Sequence, residues 1–401
     1  MKTEDLSAQD ERREAELERD RVRRGLRYCL GVFLGLRIGL SLLALAGVAL
    51  LPGLDPVDVP GWPAHPTTPG WHNLVTSWER FDALWFLRIA TAGYVDGDGS
   101  AAFFPLYPLT IRAVSPLMGG HPLAAAFLVS NASALGAMVA LYFLTASEFD
   151  ETVARRTVLY LAVFPTSFFL LAPYSESLFL VLVLVSLWAA RRSRWWLAGA
   201  AAALAATTRN LGVLLVLPLV VEAVHQSRER RRSPVMPLVA SVGAMVGLAA
   251  YLGYWEVVSG DALAPIHQQA TWLREFSFPW VSVLRATDVA FAFVGVYPGG
   301  YHLMDWLLVT PALVAAVWVA LRTRPLYGVY TWAGLLAPLS FIFEPRPYMS
   351  LPRFLLPLFP ILWAGAVWAG RRRGVHEALV AVSAGILGLF TVLFVNWYFV
   401  F

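Results

Sequence analysis

The sequence predicts an all-α polytopic membrane protein, and three observations carry that prediction. Of 401 residues, 58% are hydrophobic and only 14% charged, whereas soluble domains carry about 25% charged residues. Mean hydropathy is +0.60. Arginine-rich clusters punctuate the apolar runs at Arg21 to Arg27, Arg155/Arg156, Arg191 to Arg194, Arg228 to Arg232, Arg322/Arg324 and Arg371 to Arg373. The net charge of +4 therefore reports topology, and nucleic acid is excluded as a partner.

By the positive-inside rule all six clusters are cytoplasmic. Each interval then holds an even number of crossings at about 17 to 25 residues per span, which gives about eleven spans, with the N-terminus inside and the C-terminus outside. The head, residues 1–27, is too charged for the core of a signal peptide and reads as a solvated cytoplasmic helix or a disordered arm. The membrane domain, 28–401, has expected spans near 28–51, 121–146, 157–173, 175–190, 196–208, 210–226, 235–257, 303–321, 326–343, 354–370 and 375–399. After the first span comes a large non-cytoplasmic loop, about 52–120. Prolines in this loop and in the other outer segments prevent continuous helix, so re-entrant or interfacial structure that lines a cavity is expected.

The outer segments also hold the unusual polar residues. "SWERFDALWFLRIATAGY", Ser77 to Tyr94, places Glu79, Arg80, Asp82 and Arg88 among tryptophans. In a helix the neighbours of Asp82 three and four positions away are Trp78, Glu79, Trp85 and Phe86, none of them basic. Something distant must engage that carboxylate. "APYSESLF" carries Tyr174 and Glu176 at a hairpin turn, where Ser175 could simply cap a helix. "TTRNLG" carries Arg209 and Asn210 with no adjacent acid, so a cavity role competes with snorkelling. "FEPRPYMSLPRFLLPLFP" carries Arg346, which could pair with Glu344, and Arg353, which directly precedes an apolar run. His267, Gln268 and Gln269 suit sugar hydroxyls or a solvated loop equally. His65 and His72 fall at no zinc-site spacing, so no protein-held metal is expected; divalent-cation dependence stays open. The single cysteine, Cys29, excludes an intrachain disulfide. No glycine-rich phosphate cradle of the nucleotide-sugar kind occurs.

In order, "WERFDALWFLRIATAGY", "FFPLYPLTIR", "FPTSFFLLAPYSESLF", "TTRNLGVL" and "SLPRFLLPLFP" resemble the phosphatidylinositol-glycan class V family, the second mannosyltransferase of GPI-anchor assembly, and its bacterial relatives. The resemblance implies a GT-C glycosyltransferase fold, a polyprenyl-phosphate sugar donor and a catalytic acid in the first large outer loop, a position that Asp82 matches. It also places an arginine, here Arg353, on the donor side. The chemistry fits the residue types: an acceptor hydroxyl needs a base, and a departing phosphate needs cations. Asp82 is the expected base, with Glu79 the alternative. Glu79, Arg80, Trp85, Tyr107, Tyr174, Glu176, Arg209, Asn210, Arg346 and Arg353 are the expected substrate contacts, although Trp85 also suits an interfacial anchor and "FFPLYP" a packing wall. The expected activity is transfer of mannose from a polyprenyl-phosphate donor to a lipid, glycan or protein acceptor outside the cytoplasm, with no cofactor. For a bacterial chain the site would face outward from the plasma membrane. The rival class is a transporter or flippase of lipid-linked intermediates, which intramembrane arginines and broken helices also suit.

Overall fold

The computed structural model of the protein describes residues 2–62, 68–231, 233–268, 274–296, 299–370 and 372–400. His65, Arg232, Gln269 and Arg371 lie outside the described residues.

Helix α1 (Lys2–Leu50) runs the charged head into the first span without a break. Its head is rich in helix-forming Glu and Arg, and the first proline after it is Pro52, where the helix has ended. The outer loop then folds into α2 (Asn73–Thr76), α3 (Asp82–Ala92) and α4 (Leu106–Val114). Gly93, at φ 84, ends α3 in a conformation that most side chains resist. Helices α5 (Pro122–Glu148) and α6 (Glu151–Val163) form a hairpin in which the Asp150 carboxylate accepts from the Val153 amide at 2.8 Å. After α7 (Phe168–Leu171) come α8 (Glu176–Arg191), α9 (Trp195–Ala206) and α10 (Val216–Arg230), the last entered through a 3₁₀ turn at Asn210–Leu215. Then follow α11 (Val235–Ser241), α12 (Gly243–Ser259), α13 (Ala264–His267), α14 (Pro279–Ala292), α15 (Gly299–Arg322), α16 (Pro325–Leu339), α17 (Leu351–Phe354), α18 (Pro360–Ala369) and α19 (Arg373–Val395). Two short strands, β1 (Glu275–Phe276) and β2 (Phe341–Ile342), pair antiparallel and tie the two late outer loops together.

This is a multi-pass membrane protein. Six stretches are helical, long and apolar enough to cross a bilayer: 16–50, 122–148, 210–230, 235–259, 299–322 and 373–395. The other five expected spans are occupied by the shorter α6, α8, α9, α16 and α18. Two of these depart from expectation. The span expected at 157–173 stops at Val163 because Pro165 and Pro173 interrupt it, and that expected at 354–370 begins only at Pro360 because Pro352 and Pro357 break the chain before it. Helix α14 was not expected. It buries Ser282, Ala286 and Ala290, spaced by four residues, and Ser282 Oγ donates to the Leu339 carbonyl at 2.8 Å.

Helices α9 and α12 approach very closely. A Cβ on Gly243 would lie 2.3 Å from the Gly199 carbonyl oxygen, and one on Gly247 would lie 2.2 Å from that of Ala203. Small residues at four-residue spacing on both helices allow this backbone contact.

The arginine clusters gather at one end of the bundle. Arg21 pairs with Glu151 at 2.8 Å, Arg155 lies over the Tyr28 ring at 5.6 Å, and Arg230 donates to Ser193 Oγ at 2.6 Å. Arg191 bridges Glu148 at 2.7 Å and the buried Glu222 at 3.4 Å, and Arg324 joins Glu222 and Glu229 at 2.9 and 2.8 Å. Tyr160 meets His376 at 2.8 Å, which draws the last cluster in. The opposite end holds the loops expected on the non-cytoplasmic side and the polar residues they carry.

Candidate active site

Asp82 opens α3, and the residue before it, Phe81, has φ 52 and ψ −117. Such a conformation costs a non-glycine residue roughly 1–3 kcal/mol and persists only where its surroundings enforce it. Here the enforcement is aromatic. Phe81 packs against Phe394, Trp397 and Phe399 with ring centroids 5.8, 5.4 and 5.6 Å away. Two further positive-φ residues flank the same place: Ser350 (φ 64), which starts α17, and Trp397 (φ 67), in the segment after α19.

The distant partner that Asp82 requires is Arg353. Its NH1 reaches Asp82 Oδ2 at 2.6 Å across 271 residues of sequence, while its Nε donates to Glu176 Oε1. Arg209 NH1 donates to that same Oε1 at 2.6 Å and to Ser175 Oγ at 3.2 Å. Ser175 makes no side-chain cap, so the simple capping account of this turn fails. Glu176 is 2% exposed, and its second oxygen, Oε2, has no hydrogen-bond partner among the described residues. A buried carboxylate oxygen with nothing to accept is costly and points to a donor that a ligand would bring.

A third cation stands near Arg353. Arg274, in the loop before β1, lies over the Phe354 ring at 5.9 Å and donates to the Met349 carbonyl at 3.2 Å; Arg209 lies over the same ring at 5.7 Å. Burial first, and then the nearby Arg353 cation, lower the Arg274 pKa below the ordinary arginine value. Burial opposes the charge on Arg353 too, but Glu176 and Asp82 outweigh it and hold its pKa above normal. Three guanidiniums against two carboxylates leave one positive charge in excess, which suits an anion. Arg274 was not singled out in the sequence, where Glu275 directly follows it and a local charge pair accounts for it. Tyr174 completes the floor: its ring lies 4.9 Å from the Arg353 guanidinium, and its hydroxyl donates to the Arg80 carbonyl at 2.9 Å.

A narrow cavity opens onto Asp82, lined by Phe81, Phe169, Tyr174, Arg353, Phe394, Phe399 and Val400. Its outer wall is thus the segment after α19. That strap is tied down at both ends: Trp397 lies against the Arg80 guanidinium at 4.6 Å, and the Val400 carbonyl accepts from Arg346 at 2.7 Å. The sequence signal available was the aromatic run "NWYFVF" just beyond the last span.

Other expected contacts do not bond to Asp82 or Glu176. Arg346 pairs with neither Glu344 nor the acids of the site; it grips buried Asp305 through two bonds of 2.7 and 2.9 Å. Asp305 is a lone acid in an otherwise apolar span. Arg80 spends its donors on the carbonyls of Val395, Thr76 and Glu79, all at 3.0 Å. Glu79 accepts from Trp62 Nε1 at 2.9 Å. Trp85 stacks on Phe103 at 5.3 Å, and the Tyr107 hydroxyl meets Ser130 Oγ at 2.7 Å. Asn210 uses its side chain on the Leu211 amide at 2.8 Å and is exposed. His267 pairs with Asp261 at 2.8 Å, and Gln268 accepts from the Ala101 amide at 3.0 Å. Among the described residues no group of three His, Cys, Asp or Glu is placed to hold a metal ion.

Residues 67–230 match the family model of mannosyltransferase (PIG-V). Asp82, Glu176 and Arg209 fall inside the matched stretch, and Arg353 and Arg274 fall beyond it. Among solved structures, the chain is similar to ArnT from Cupriavidus metallidurans bound to undecaprenyl phosphate, with TM-score 0.51 and 15% identity over 92% of this chain and 76% of that one. The oligosaccharyltransferase of Archaeoglobus fulgidus also aligns: its apo form has TM-score 0.41 and 12% identity over 92% of this chain and 56% of that one. No curated protein matches the chain in sequence. The likeness to ArnT is one of fold, and the fold is of the GT-C type.

Proposed function

We propose, from the PIG-V mannosyltransferase match over residues 67–230 and the site that lies partly within it, that the protein is a membrane glycosyltransferase. It would transfer mannose from a polyprenyl-phosphate donor to a hydroxyl of a lipid, glycan or protein. The observation that supports this most is the meeting of one partly exposed carboxylate, Asp82, with a three-arginine group at the end opposite the arginine clusters. A base beside an excess of cations is what displacement of a sugar from a phosphate requires.

In this reading the acceptor oxygen attacks the sugar carbon on the face opposite the phosphate, and Asp82 takes the hydroxyl proton. The bond from carbon to phosphate oxygen breaks, and the electron pair leaves with the phosphate. Arg353, Arg274 and Arg209 meet the charge that grows there. Oδ1 of Asp82 is the proton acceptor, since Oδ2 is held by Arg353. Oε2 of Glu176 accepts from a sugar hydroxyl. The site faces outward, because the positive-inside rule puts the arginine-rich end in the cytoplasm.

The test is transfer of radiolabelled mannose from polyprenyl-phosphate mannose to membrane extract by purified protein in bilayers. Asp82→Asn keeps size and removes the base, so turnover should fall by at least about 100-fold while the protein stays folded. Turnover near wild type in that variant would remove Asp82 from the chemistry.

A further inference from the structure

At the arginine-rich end, α1, α6 and α19 border an open cleft of about 470 Å³ lined by Tyr28, Glu151, Thr152, Arg155, Arg156, Leu159 and His376. Its charge is unbalanced. Glu151 is the acid in the lining, and Arg21 already occupies it at 2.8 Å. Among the described residues neither Arg155 nor Arg156 pairs with a carboxylate. Arg155 is held over the Tyr28 ring at 5.6 Å, and the Tyr28 hydroxyl donates to the Arg155 carbonyl at 2.9 Å. Arg156 is half-buried, with NH1 so close to α18 that a Cβ on Gly370 would lie 2.6 Å away. His376 is oriented by the bond of its Nδ1 to the Tyr160 hydroxyl, 2.8 Å.

Two arginines that line one cleft, neither of them paired with an acid, suit an anion. Leu159 lies one turn further into the bundle, and the membrane spans α1 and α19 border the cleft, so its inner edge is apolar. An anion with hydrocarbon attached fits both halves. We propose that this cleft binds the phosphate of an anionic phospholipid from the leaflet on the arginine-rich side: Arg155 and Arg156 on the phosphate oxygens, the Thr152 hydroxyl and the His376 ring on the rest of the headgroup, and the acyl chains along α1. Basic pockets between membrane helices on the cytoplasmic side are suited to this chemistry. The site lies at the opposite end from Asp82 and does not depend on the reaction proposed there.

The experiment uses full-length protein in phosphatidylcholine nanodiscs titrated with phosphatidylglycerol, read by native mass spectrometry of retained lipid and by thermal unfolding. Wild type should keep one phosphatidylglycerol per chain and unfold at higher temperature with it. The Arg155→Gln/Arg156→Gln double variant should bind at least about tenfold more weakly, while Arg373→Gln, which alters an exposed arginine of the same end, should bind like wild type. Equal retention by the double variant would overturn the proposal. Equal stabilisation by inorganic phosphate alone would overturn the lipid assignment in favour of a soluble anion. Should the double variant not fold, photoactivatable phosphatidylglycerol on wild type decides the matter: cross-links at 151–159 support the site, and cross-links spread over the bundle overturn it.

Discussion

Arg353 engages two acids with one planar group, through Nε to Glu176 and through NH1 to Asp82. A lysine in its place offers a single point charge and reaches one acid at a time. Arg353→Ala leaves Glu176 buried with Arg209 as its one cation, and breaking buried pairs of this kind costs about 3–5 kcal/mol. We therefore expect Arg353→Ala to lower both the unfolding temperature in detergent and the turnover. Arg353→Lys should recover most of the stability and little of the turnover. Full turnover in the lysine variant would show that the two-pronged geometry is not used. The sequence marked Asp82 as a carboxylate in need of a distant partner and marked Arg353 and Arg209 as candidates. It could not join them, because the pairing closes over 271 residues and no local spacing encodes it. The same holds for Arg346, whose partner Asp305 sits 41 residues away inside α15 while Glu344 stood conveniently close.

Helices were legible where long apolar runs lie between arginine clusters, and their ends were misplaced where prolines cut them short. Helix α14 stayed hidden because its buried face is made of Ser282, Ala286 and Ala290, small residues that raise little apolar signal. Small residues also decide the contact of α9 with α12. Gly247 faces the Ala203 carbonyl so closely that a Cβ would stand 2.2 Å from its oxygen, and backbone cannot yield as a flexible side chain can. Gly247→Val should push the two helices apart, lower the unfolding temperature markedly and promote aggregation, as measured by light scattering on heating. Gly253→Val, on the same helix with open space around it, is the control and should change little. If the two variants unfold alike, the close approach contributes nothing to stability.

For the molecule as a whole, six clusters scattered between Arg21 and Arg373 converge on one end of the bundle, although each was assigned to that side from composition alone. Single cysteines in a variant lacking Cys29 test the orientation. Replacements of Asp96 and Glu344, both exposed, should react with an impermeant maleimide applied outside intact cells, and replacements of Arg192 and Arg372 should be protected until the cells are opened. Labelling of Arg192→Cys from outside would reverse the assignment of everything that follows α8. The far end was legible only as an inventory of polar segments. Its assembly depends on Ser350, Phe81 and Trp397 adopting backbone angles that no propensity favours.

The shortness of α6 and α8 sets the depth of the site. At about 1.5 Å per residue, 16 residues of α8 span about 24 Å and 13 residues of α6 about 20 Å, short of a hydrocarbon slab about 30 Å thick. With their inner ends level with the arginine clusters, Glu176 and the groups gathered on it stand in a basin sunk some 6–10 Å below the outer rim. Water reaches such a basin from above, and a molecule anchored by an isoprenoid tail can reach it sideways through the plane of the bilayer. For the transferase proposed above, a donor held in the membrane and an acceptor arriving from water would come by perpendicular routes, with the strap from Asn396 to Val400 standing where those routes would meet.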